Sequence, residues 1–283
     1  MDYAARKFVS LSPAITEIIY AVGADAGLAA DTRHCDFPPR ARAKNRIEAW
    51  ERPSPELAGK FGAELVFTDQ AVPQAAMEKC GAAGVKVAVV RPATLDEVFQ
   101  GITAVGGETG REAEAAGVVE DMKKKFAEIE AKAGGLRRRP RVYVEEGGKP
   151  PVAAGWWVPR LVEIAGGESG LVREGQPPRD VSRKELFGYN PEVMALAWRD
   201  IGKNAEMKVI EDRHWSGLNA IAEGRLHVFD DALLLRPGPR LVEGTRQLAE
   251  AIADAEGGPS EPAEDDGWTY GEDADGGAGK PSI

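Results

Sequence analysis

Short apolar runs alternate with helix-patterned stretches twice along this chain, once on each side of a long amphipathic segment. In the first half the runs fall at 7–11, 28–31, 65–67 and 85–90, and helical spacing falls at 13–22, 55–60, 74–80 and 95–105. Strands that are apolar on both faces are covered on both faces, and strands separated by helices pair in parallel. The second half repeats the rhythm, with strands predicted at 141–145, 193–198 and 226–229 and helices at 157–165, 182–186, 217–223 and 240–255. Between the halves, 109–132 sets Val118, Val119, Met122, Phe126 and Ile129 three to four apart. That spacing predicts one helix about 36 Å long. The predicted class is α/β: two Rossmann-like lobes joined by one long rigid helix. The expected boundaries are an N-terminal lobe over 1–105, a connecting helix over 106–135, a C-terminal lobe over 136–256 and an acidic disordered tail over 257–283.

Punctuation supports these boundaries. Ser12-Pro13 reads as an N-cap followed by a proline at the first helical position, with Gly23 as the stop. The paired prolines of 38–39 are expected to exclude regular structure from the loop that runs to Trp50, and Gly134-Gly135 are expected to end the long helix.

Charge narrows the partners. The chain carries a net −10 over 283 residues, with no dominant basic patch, which speaks against nucleic acid. The acidity is concentrated: residues 257–283 hold a net −6 and seven glycines, too little apolar surface to offset chain entropy. Cys35 and Cys80 form no disulfide framework and are expected as reduced thiols. No apolar run approaches the ~18 residues of a membrane span. The start leads directly into Phe8-Val9-Ser10-Leu11, so no secretory signal is expected in this sequence. The expected location is the cytoplasm, or the periplasm or cell surface if an export signal was removed.

Catalysis finds little support. No G-x-S-x-G, P-loop or HExxH motif is present. Gly106-Gly107-Glu108-Thr109-Gly110 has the look of a phosphate loop but lacks the lysine and follows no strand. Asp212-Arg213-His214 suggests an acid–base pair, but packing of His214-Trp215 before a helical turn is the simpler expectation. No intrinsic cofactor is expected.

Several stretches, in the right order, resemble the cobalamin-binding members of the helical-backbone periplasmic receptors, the substrate-binding partners of ABC importers. Phe8-Val9-Ser10-Leu11-Ser12-Pro13-Ala14-Ile15-Thr16-Glu17-Ile18 is similar to that group's first strand and helix. His34-Cys35-Asp36-Phe37-Pro38-Pro39 resembles its aspartate-aromatic-proline-proline loop, and 150–159 with Gly166-Gly167 the opening of its second lobe. Arg236-Pro237-Gly238-Pro239-Arg240-Leu241-Val242-Glu243-Gly244, after Asp230-Asp231, is the most specific match. The resemblance covers residues 7 to about 255 and implies the class III periplasmic binding protein architecture.

It also implies a corrinoid ligand, cobalamin or a relative, held in the cleft between two lobes by broad apolar faces and few polar contacts, for delivery to an ABC transporter permease. The chain itself is expected to be a monomer. A wide, amide-fringed disc suits aromatic walls with fixed polar groups. The residues this assigns to the ligand are His34, Trp50, Val152, Trp157, Asp231 and Arg236. His34 has three possible roles: stacking on the corrin, ligating cobalt, or bonding to nearby backbone. Arg236 either contacts ligand or pairs with Asp230 or Asp231. Glu56 and Glu185 fall where the group docks one carboxylate per lobe on the permease, and both are also expected to begin helices, where negative charge is favourable alone. Two departures stand out: Gly147-Gly148 where relatives carry a bulky group, and Val152 in place of a larger apolar side chain. Each removes apolar area from a ligand face, worth about 1.5–3 kcal/mol per large side chain.

Two alternatives remain open from sequence. A ferric siderophore or metal-chelate receptor on the same fold needs similar aromatics and arginines, although a bare metal site would need His34 and His214 to meet. A cytoplasmic corrinoid carrier would lack the export step.

Overall fold

The computed structural model describes residues 6–48, 51–147, 150–198, 209–210 and 212–255. The chain forms two compact units, Met1–Ala127 with Arg236–Val242, and Glu128–Leu235 with Glu243–Ile283. The expected α/β class with two lobes is what the chain adopts.

Unit 1 is built on β1 (Phe8–Ser10), β2 (Leu28–Thr32), β3 (Asn45–Ile47), β4 (Leu65–Thr68) and β5 (Lys86–Val89), all parallel in the order β3-β2-β1-β4-β5. The chain winds outward from β1 to β3, then restarts beside β1 at β4. Strands on either side of that restart lead away from each other, which leaves a crevice at their carboxyl ends. Phe8, Val9, Leu65, Val66 and Phe67 are buried at 3% exposure or less, as expected of strands covered on both faces.

The covering helices are α1 (Pro13–Ala21), α2 (Pro55–Phe61), α3 (Gln74–Ala82) and α4 (Leu95–Thr109). Ser12 caps α1 by accepting from the Ile15 N–H, Ser54 caps α2 from Leu57, and Thr94 caps α4 from Glu97. The proline-rich loop is more ordered than the sequence suggests. Pro39–Ala43 forms a 3-10 helix, and β3 follows it. Proline's fixed φ suits a first helical turn, where its missing N–H has no partner to lose.

The expected helix from residue 109 is displaced by three residues. Thr109 instead ends α4, Gly110 turns left-handed at φ +68°, and α5 runs Glu112–Ala133. Of the would-be phosphate loop 106–110, residues 106–109 are thus the last turn of α4 and Gly110 is its cap. Gly106 has a packing reason: a Cβ there would lie 2.4 Å from Ala115 Cβ and 2.9 Å from the Arg111 carbonyl oxygen. In α5, Ala115, Met122, Phe126 and Ile129 are buried, whereas Val118 and Val119 are half-buried.

Unit 2 holds β6 (Val142–Gly147), β7 (Val152–Ala153), β8 (Arg179–Asp180), β9 (Val193–Leu196) and β10 (Leu226–Val228) in the order β10-β9-β6-β7-β8. β10, β9 and β6 are parallel, and β7 and β8 add antiparallel. Its helices are α6 (Val158–Ile164), α7 (Arg183–Tyr189), α8 (Asn219–Ala222), α9 (Asp231–Leu234) and α10 (Leu241–Ala253), whose first two residues lie in unit 1. Trp215, Leu186, Met194 and Leu196 form the centre of one core cluster, with no exposure. The expected acidic tail lies outside the described residues.

Replacing Gly106 with alanine forces α4 and α5 apart. Gly106→Ala is expected to cost about 1–3 kcal/mol of stability by overpacking. Denaturant titration of the two proteins checks it, and an unchanged midpoint contradicts the close approach.

Candidate ligand-binding site

In parallel α/β sheets the carboxyl ends of the strands are where side chains converge on a ligand. In unit 1 that edge carries a buried ionic cluster. Glu17, on α1, is 5% exposed. Its carboxylate accepts from Arg240 Nε at 2.8 Å, Arg240 Nη2 at 2.7 Å and Arg236 Nη1 at 3.1 Å. Arg236 Nη1 also donates to Asp36 at 2.6 Å, and Arg240 lies 4.2 Å from the ring centre of Phe37. The two guanidiniums thus compensate the buried Glu17 charge, as burial requires. Asp36 is held below the ordinary carboxylate range. Desolvation raises it, and the hydrogen bond and charge of Arg236 outweigh that.

Behind this cluster the loop after β2 is pinned from inside. Asp31 is fully buried and accepts from Arg46 at 2.6 Å, while Arg46 also donates to the Thr32 and Cys35 carbonyls. Burial pushes the Asp31 carboxyl up to about 6 against the pull of Arg46. The Cys35 thiol is buried among Thr16 and Thr32, and burial raises it as well. Cys35 and Cys80 form no disulfide. At the crevice beside β4, the Ser12 hydroxyl donates to Asp69 at 2.6 Å.

The same edge of unit 2 sets aromatics around the Glu145–Arg213 ion pair. Glu145 on β6 is fully buried, bonded to Arg213 and to the Tyr143 hydroxyl, which donates at 2.9 Å. Burial pushes the Glu145 carboxyl up, opposed by Arg213 and Tyr143. The Arg213 guanidinium stacks 4.7 Å from the ring centres of both Trp198 and Trp215. Glu146, next along β6, is half-buried and raised to about 7 by desolvation. Arg213 is therefore a partner of Glu145, and His214 sits at φ +51° with its carbonyl accepting from Arg183.

The residues assigned from sequence fall as follows. His34 is half-buried in the unit 1 loop, beside Asp36. Arg236 pairs with Glu17 and Asp36, and the expected partner Asp230 instead caps α9 by accepting from Ala232 at 3.0 Å. Asp231 opens α9 in unit 2. Trp157 is buried ahead of α6, and its ring N–H donates to the Leu234 carbonyl at 2.9 Å. Val152 is half-buried on β7. Trp50 lies outside the described residues. Glu56 is exposed in the first turn of α2 and bonded to Lys79 at 2.8 Å. Glu185 forms the capping box of α7 with Ser182 and pairs with Arg179 at 3.1 Å. Sequence reasoning missed Glu17, Asp31, Glu145 and Arg213 as organisers. For Glu17, Asp31 and Glu145 the signal is a charged residue interrupting an otherwise apolar strand or helix face.

The family described as Periplasmic binding protein matches residues 8–233, most of both units. The chain belongs to the periplasmic binding protein family. Among its relatives, the vitamin B12-binding protein of Photorhabdus laumondii is 23% identical over 256 residues, covering 89% of this chain and 90% of that one. An uncharacterized ABC transporter substrate-binding lipoprotein of Bacillus subtilis, YvrC, is 25% identical, covering 87% and 80%. Of solved structures, the periplasmic heme-binding protein RhuT from Roseiflexus superposes with a TM-score of 0.76 at 24% identity, covering 89% of this chain and 99% of that one. The vitamin B12-binding protein BtuF of Vibrio cholerae superposes at 0.73 and 20%, covering 89% and 98%. These likenesses establish the fold.

Membership of this family corrects the expected location. A periplasmic binding protein, with an ABC transporter lipoprotein among its relatives, is an extracytoplasmic component, so the cytoplasmic expectation and the cytoplasmic corrinoid carrier are both withdrawn. Among the described residues no helix is long and apolar enough to cross a membrane, and no group of three or more His, Cys, Asp or Glu is placed to hold a metal ion.

Two measurements test the ionic organisation. Glu17→Gln leaves two part-buried guanidiniums short of a charge, and is expected to cost about 3–5 kcal/mol in denaturant titration. For Asp31, a folded-state value raised above the ordinary ~3.9 makes its contribution fullest below about pH 4. That contribution is lost as pH rises through about 6. The melting temperature of the wild type minus that of Asp31→Asn should therefore fall between pH 4 and 6. A rising difference contradicts the raised value.

Proposed function

We propose that this periplasmic binding protein takes up cobalamin or a related corrinoid and delivers it to an ABC transporter permease. The reading rests on the near end-to-end match to vitamin B12-binding proteins, 89% of this chain against 90% of the Photorhabdus protein. The chemistry of the two strand edges is compatible with it. Unit 1 offers oriented charge and unit 2 offers aromatic surface, and a corrin needs both: amide side arms take hydrogen bonds, and the ring takes flat apolar contact.

Individual residues then have assigned parts. Arg236 commits Nη1 to Glu17 and Asp36, which leaves its Nη2 N–H groups for amide carbonyls of the ligand. Asp231 supplies an acceptor for amide N–H groups. His34 and Trp50 supply ring contact, and Val152 and Trp157 supply wall, Trp157 through its ring rather than through its committed N–H. Glu56 and Glu185 carry the permease contact. Both are exposed, and among the described residues each pairs with a surface cation, Lys79 or Arg179, which an arginine of the permease can replace.

Calorimetric titration with cyanocobalamin, cobinamide, hemin and a ferric hydroxamate siderophore decides the ligand class. One-to-one, submicromolar binding of cobalamin is expected, and uptake of hemin or siderophore with silence toward corrinoids overturns the reading. Trp50→Ala is expected to weaken cobalamin binding at least about tenfold, ~1.4 kcal/mol, with little change in melting temperature. An unaltered dissociation constant removes Trp50 from the site.

A further inference from the structure

A parallel sheet can replace a side chain missing from one strand with a side chain from its neighbour, because register places their carboxyl ends side by side. The β6–β9 register pairs Tyr143 with Met194 and Glu145 with Leu196. Two residues further, the same alternation sets Gly147 against Trp198, on the face that carries Tyr143 and Glu145. The two positions do adjoin: a Cβ on Gly147 would lie 3.8 Å from both Cγ and Cδ1 of Trp198. Gly147 has φ +130°, a backbone conformation that favours glycine and keeps this position bare.

The indole beside that bare position is rigidly backed. Trp198 packs on the buried cluster of unit 2 while remaining partly exposed at the carboxyl edge. The Arg213 guanidinium lies against its ring, and Arg213 in turn is fixed by buried Glu145. Trp215, with no exposure, stacks on the same guanidinium, and Tyr143 meets Trp215 edge-on at 6.5 Å. A ring clamped in this way offers flat apolar area with little entropy left to lose on binding.

We propose that Trp198 is the aromatic platform of unit 2, taking a flat macrocycle against the exposed part of its ring, and that Gly147 stays small to let it do so. This rests on the corrinoid reading for the identity of the macrocycle but not for its shape. It also accounts for the bare glycine at the end of β6, beside the ring of its β9 neighbour.

The test uses the full chain, with cyanocobalamin and hemin titrated in parallel. Trp198→Leu keeps apolar bulk and removes the ring, and Trp198→Phe keeps a ring. Trp198→Leu is expected to weaken binding of the macrocycle at least tenfold, and Trp198→Phe by threefold or less. Oxidative footprinting of the wild type adds a readout that no folding defect can imitate. Trp198 should be protected by saturating ligand, with buried Trp215 unreactive in both states. If hemin binds and cobalamin does not, the corrinoid reading falls, while Trp198 is judged on the hemin data by the same criteria. Binding of neither macrocycle overturns the inference. So does a Trp198→Leu affinity within twofold of wild type, or Trp198 oxidation that ligand leaves unchanged.

Discussion

One buried carboxylate makes residues 236–242 part of a unit whose other residues lie more than a hundred positions earlier. Glu17 is bonded to Arg236 and Arg240 across sequence separations of 219 and 223 residues. Taking a carboxylate out of water is costly unless its charge is met in kind, so Glu17 tolerates burial only with this segment in place. The dependence runs the other way as well. Arg236 also holds Asp36 and Arg240 lies on Phe37, so the loop after β2 is positioned by the same cations. Fold and candidate site thus share an electrostatic origin in unit 1.

Unit 2 reaches a comparable rigidity by other means. Glu145 pairs with Arg213, and a tyrosine hydroxyl and two indole faces also meet that pair. A guanidinium is weakly hydrated and planar, which makes it the cation best suited to stacking of this kind. The two strand edges therefore present different chemistry: oriented charge in one unit, and backed aromatic surface in the other.

Much of this was legible in the residues. The apolar runs marked the parallel strands because two-sided burial leaves little room for polar residues, and Ser12-Pro13 marked the start of α1 because capping is local. What escaped was either too short or too distant. β7 and β8 are two residues each, below the length at which any period can be counted, and they exist because β6 offers them an edge. β3 followed prolines that seemed to forbid order. The helix after Gly110 began late because a left-handed glycine can turn one helix into the next without an intervening loop. At the site, the arginine of 236 was legible but its partners were not. Asp230 and Asp231 were the nearest acids in sequence, and the true partners were some two hundred residues away.

That separation has a consequence for the order in which the protein is made. Translation proceeds at roughly 5–20 residues per second, so Glu17 leaves the ribosome on the order of ten to forty seconds before Arg236. From residue 89 onward in that interval the sheet of unit 1 is complete in sequence, yet its α1 carboxylate lacks the guanidiniums of Arg236 and Arg240. The nascent unit must hold α1 loosely, with Glu17 still wet, until the chain has crossed into unit 2 and returned. A ribosome-arrested chain ending before residue 236 should accordingly display unit 1 in a softer, more protease-sensitive form than the finished protein, although every strand of its sheet has already been synthesised.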